Sequence, residues 1–136
     1  MGLIKDLDTA AQCAGEIADV ILSGDDNKLV GVEGTISDLL HSFYRFSTEF
    51  VLHDELKVSA SEDANRSLSL ARAFGVSIEM LVRHNYMLKE TLSRLSNEQV
   101  HTEYSHSLIN YYAVNGVARR LAFLLRRMKE DGVLND

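Results

Sequence analysis

No proline interrupts the 136 residues of this chain, and no other feature restricts its folding as much. Proline ends helices and marks turns. A chain without it, and with only eight glycines, has few obligatory breaks. An all-β fold needs frequent turns, so long helices are expected instead. The length is that of a single domain, taken here as residues 1–136. Apolar residues at 46% and charged residues at 25% are ordinary for a globular chain and argue against disorder.

Four amphipathic segments follow from the spacing of apolar residues. In the first, Leu3, Leu7, Ala10, Ala14, Ile17 and Ile21 alternate in steps of four and three, which places them on one helical face. Gly24 stands in the position of a helix C-cap, and Asp25-Asp26-Asn27 reads as a turn. In the second, Val32, Ile36, Leu39, Phe43, Phe46 and Phe50 keep the same rhythm. The stretch His53–Val58 either continues that helix or connects it to the next. The third opens at Ser59-Ala60-Ser61-Glu62, a capping-box pattern. It runs to about Leu95 through Ala64, Leu68, Ala71, Ile78, Leu81, Leu88 and Leu92. Asn85 falls on that seam, where a polar residue either sets register in a self-associating bundle or faces solvent. A second capping box, Ser96–Gln99, separates segments three and four unless one helix runs through. The fourth carries Val100, Tyr104, Tyr111, Val114, Ala118, Leu121, Leu125 and Met128, and Gly132 ends it. Seams of this period imply helices packed at shallow angles. The expected fold is all-α, a four-helix bundle with long amphipathic helices. Completion or extension by a second copy is the main variation.

The single cysteine, Cys13, lies in the apolar stretch Ala10–Ala18 and reads as a buried thiol. Asp6 and Asp8 are wrong for a signal or transit peptide, and Asp6 stands where a myristoylation motif wants serine or threonine. The apolar run Leu121–Leu125 is far short of the ~20 residues that span a bilayer. These features point to a soluble, cytoplasmic protein without membrane partners.

The net charge of −6 resides in the first third: residues 1–41 hold two lysines against eight carboxylates, whereas the remainder is balanced. A whole-protein nucleic-acid binder would more often be basic. Segment four nevertheless carries Arg119, Arg120, Arg126, Arg127 and Lys129 within eleven residues. Arginine suits phosphate contacts. The stronger explanation is structural, since such a cluster complements a helix C-terminus or the acidic first helix, across the bundle or across a dimer; an acidic partner is the further alternative.

Catalytic signatures are weak. Asp38-x-x-His41 and Glu103-x-x-His106 have the spacing of ligand pairs in dimetal four-helix bundles. Measured from Leu39, however, Asp38 lies about 100° and His41 about 200° around the helix, which turns that pair to solvent. Glu103 and His106 flank the Tyr104–Tyr111 seam. Glu16 and Glu79 would have to supply the other carboxylates, and nothing in their spacing selects them. Arg94 and His101, with six residues between them, resemble the arginine–histidine spacing of helical HEPN ribonucleases. That resemblance implies a pair meeting across a helical dimer to cleave RNA. Leu95 stands where that family carries a polar residue. No glycine loop for a nucleotide and no nucleophile elbow occur.

The expectation is therefore a small non-enzymatic helical regulator or adaptor. It would associate with itself and with another protein, with Arg119, Arg120, Arg126 and Arg127 as the interaction residues. No catalytic residue, metal ligand or cofactor is assigned. The alternatives are a nucleic-acid-associated regulator using the same arginines, and a metal-dependent bundle enzyme or ribonuclease. In the first reading, charge reversal at Asp6, Asp19 or Arg126 alters assembly without unfolding the chain.

Overall fold

The computed structural model describes residues 2–24, 31–53, 62–91, 102 and 105–136, with side chains in the third helix described for residues 62–84. Four long helices are formed: α1 (Leu3–Ser23), α2 (Val32–Val51), α3 (Glu62–Thr91) and α4 (Leu108–Glu130). α1 packs against α2 and α4, and α3 packs against α4. Edge-to-face rings close the remaining side, with Phe74 of α3 5.1 Å from Phe43 and 5.7 Å from Phe46 of α2. The start of α1 meets the second half of α2 through Asp6 and Arg45, and the end of α4 through Asp8 and Arg126. Asp63 at the start of α3 meets Arg127 near the end of α4. Each neighbour thus runs antiparallel, as in an up-down-up-down four-helix bundle. One chain supplies all four helices.

All six seam residues of α1 are buried, and Ile4, Ala11 and Ala18 widen the stripe. The small residues Ala11, Ala14, Ala18 and Ala122 lie among the buried residues of α1 and α4, the two helices that pack together. Asn115 on α4 donates to the Ala11 carbonyl at 2.7 Å, a polar tie within this apolar contact.

The register of α3 corrects the sequence reading. Leu68 is only half-buried, and the seam runs through Ala64, Ser67, Phe74, Ile78 and Leu81. Ser67 occupies a core position because its hydroxyl donates to the Asp63 carbonyl at 2.8 Å, which satisfies the group without water. Phe74, absent from the expected seam, is fully buried. Burying such a ring contributes about 1.5–3 kcal/mol.

Both expected glycine stops occur. Gly24 has φ 66° and caps α1. Gly132 has φ 76°, a left-handed conformation that suits glycine. Its N–H donates to Lys129 and that of Val133 to Met128, the paired bonds of a Schellman motif. The reversal buries Leu134 and carries Asp136 to the start of α1.

Several expectations fall outside the described residues. These are the Asp25–Asn27 turn, both capping boxes, the Asn85 side chain, Leu88, Leu92, Leu95, Val100 and Tyr104.

Candidate interaction surface

All four arginines singled out on α4 are exposed. Two are engaged within the bundle. Arg126 donates to the Asp8 carboxylate of α1, and Arg127 donates to Asp63 of α3 at 2.8 Å. Arg127 also lies 5.8 Å above the Phe123 ring, within cation–π range. Such exposed pairs contribute about 0–1 kcal/mol each. One ion pair, Asp8 with Arg126, thus joins the acidic first helix to the basic fourth across the bundle. Arg119 and Arg120 make no ion pair among the described residues.

Around these two arginines lies a row that sequence reasoning passed over. Ile109, Tyr112, Gly116, Arg119 and Phe123 recur in steps of three and four on the side of α4 opposite its buried stripe. Ile109 is 75% exposed, Tyr112 47% and Phe123 58%. Ala113 and Gly116 are exposed between them, and a Cβ placed on Gly116 would meet no described atom within 4 Å. Single exposed apolar residues are ordinary. Three large ones in register on one helix form a patch of the kind that marks a contact surface. The signal was present as a second heptad stripe, offset from the core stripe of the same helix. Beside it, Arg66, Leu70, Arg120, Phe123, Leu124 and Arg127 line a groove of about 780 Å³ between α3 and α4.

Asp38 and His41 face solvent as expected, and Glu16, Glu79 and His106 are exposed as well. Glu79 is paired with Arg83 at 2.7 Å. Glu103, Arg94 and His101 lie outside the described residues. A different trio gathers elsewhere: Glu49, His53 and Asp136 bring their side-chain N and O atoms within 4.8 Å of one another. Both Asp136 oxygens already accept bonds from the backbone of α1, so this carboxylate serves the fold. An imidazole between two carboxylates is also an ordinary ion-pair arrangement.

Asp6 requires a correction. It is not a surface charge but is 3% exposed, with Oδ1 accepting from Arg45 Nε at 3.2 Å and Oδ2 without a hydrogen-bond partner among the described residues. Reversing its charge would bury an ammonium or guanidinium in the core and unfold the chain rather than alter assembly. Tyr111, a seam residue of segment four, is fully buried, whereas Tyr112 is exposed. Burial pushes the Cys13 thiol above its ordinary value of 9.0, and the Asp38 and Glu16 carboxylates add to the shift. This fits the inert thiol expected from its apolar surroundings.

Among the described residues, no helix is long and apolar enough to cross a membrane. Comparison with protein-family models, with curated proteins and with solved structures finds no match.

Proposed function

We propose that this chain is a small non-enzymatic helical regulator or adaptor that acts in the cytoplasm through protein–protein contacts and associates with itself. The observation that carries this reading is the outward row of α4, where Ile109, Tyr112 and Phe123 are exposed in register beside Arg119 and Arg120. Aromatic residues and arginine are the side chains enriched at interfaces and at their energetic centres. The row takes no part in the described core, since the buried residues of α4 lie on its other side.

Immobilised chain should retain purified, untagged chain from solution. The pair Tyr112→Ala and Phe123→Ala should abolish retention while circular dichroism stays that of a folded helical protein. Equal retention by wild type and by this double variant would reject α4 as the contact surface.

The nucleic-acid reading keeps one observation in its favour: Arg119 and Arg120 make no ion pair among the described residues and share the exposed side of α4 with Tyr112, about two turns away. Binding through several phosphates would weaken steeply with salt. Fluorescence anisotropy with a labelled single-stranded RNA, at low and high salt, separates the two readings. Tight, salt-sensitive binding lost in Arg119→Glu would favour the nucleic acid.

A further inference from the structure

Resting on the self-association reading, we infer that the occupant of the α4 face is a second copy of this chain, its α4 packed antiparallel and crossing at Gly116. A two-fold contact must be self-complementary, because each half of the patch meets the other half. The row meets this condition. Gly116 lies seven residues from both Ile109 and Phe123. With Gly116 at the axis, Ile109 lies opposite the second copy's Phe123, and Tyr112 lies opposite its Arg119 and Arg120.

Each opposition is chemically matched. Ile109 and Phe123 are apolar and more than half exposed. Tyr112 offers a ring face to guanidinium groups. Charge complementarity extends beyond α4 itself. Asn115 meets Ala11 and Arg126 meets Asp8, so antiparallel α1 places Asp19 level with the Ile109–Tyr112 half of the row. Asp19 and Glu16 are exposed there. The half of each copy flanked by acid thus receives the basic half of the other. The two arginine pairs fall on opposite sides of the crossing, which keeps like charges apart. Gly116 and Ala113 leave room at the axis for close helix approach, and no described atom fills the space over Gly116.

The test combines sedimentation with cysteine cross-linking in the full chain. A Cβ at position 116 meets no described atom within 4 Å, so Gly116→Leu should stay folded while its dimer dissociates at least ten-fold more readily. Gly116→Cys should form a disulfide-linked dimer under mild oxidation, since the two Cα atoms at the axis would lie within bridging distance. In a mixture, Ile109→Cys should cross-link to Phe123→Cys in preference to itself. Cys13 is buried and supplies a silent background. A wild-type chain monomeric at all concentrations would reject self-association and this geometry together. A wild-type dimer unaffected by Gly116→Leu, with no cross-link at position 116, would leave self-association standing and overturn the Gly116 crossing.

Discussion

The carboxylate of Asp136 accepts the backbone N–H of Leu3 at 2.7 Å through Oδ1 and that of Ile4 at 3.0 Å through Oδ2. The N-cap of α1 is Gly2, which has no side chain to satisfy these donors. Residue 136 therefore caps a helix that begins 133 positions earlier. The approach is tight, since a Cβ on Gly2 would come within 3.0 Å of Asp136 Oδ2. Asp136→Ala should cost about 1 kcal/mol, the usual loss on removing a capping side chain. Asp136→Asn, which keeps one acceptor, should cost less. Chemical denaturation of the three proteins checks the order; equal stability would mean that water replaces the cap.

The pair of Asp6 and Arg45 is asymmetric, with the carboxylate buried and the arginine side chain 47% exposed. Arg45→Ala leaves a buried charge unpaired and should destabilise by about 2 kcal/mol, somewhat below the loss for a fully buried pair. Adding Asp6→Leu should restore most of that loss, because the cost lies in the orphaned charge. A double variant no more stable than Arg45→Ala would place the cost in the packing of the arginine stem instead.

The α3 register makes a sharp contrast. Phe74→Ala removes a fully buried ring and should cost about 3–5 kcal/mol. Leu68→Ala, at a half-buried position, should cost less than half as much. Reversal of that order in urea unfolding would restore the register read from the sequence.

Burial holds the Cys13 thiol protonated beyond its ordinary value of 9.0. The folded chain then keeps a proton that the unfolded chain releases as pH rises past that value. The stabilisation linked to this group is complete below pH 9.0 and declines above it. Wild type should lose more stability than Cys13→Ala between neutral and alkaline pH. The native thiol should also react slowly with a disulfide reagent until denaturant is added. Fast native reaction at neutral pH would contradict both statements.

Much of this architecture was legible because α1, α2 and α4 carry regular apolar stripes and because glycine stops follow α1 and α4. The Gly132 reversal and the all-α bundle follow from local pattern, and the Asp8–Arg126 pair is one of the roles that the basic cluster of segment four left open. Other features depend on distant neighbours. Ser67 lies in the core because the Asp63 carbonyl satisfies it, so a stripe template that favours Leu68 misplaces the seam. Asp6 looks like one more acidic surface residue until α2 brings Arg45 against it. The row Ile109–Tyr112–Phe123 was visible as a period but masked by the adjacent arginines, which drew attention to charge.

The central claim is that the α4 face joins two copies of the chain, and sedimentation equilibrium of the 136-residue chain tests it most directly. From about 1 to about 200 µM, a range bracketing Kd values for modest interfaces, wild type should pass from monomer to dimer. The Tyr112→Ala, Phe123→Ala double variant should remain monomeric and folded throughout. A wild-type chain that stays at the monomer mass of 15.2 kDa over the whole range would contradict the account.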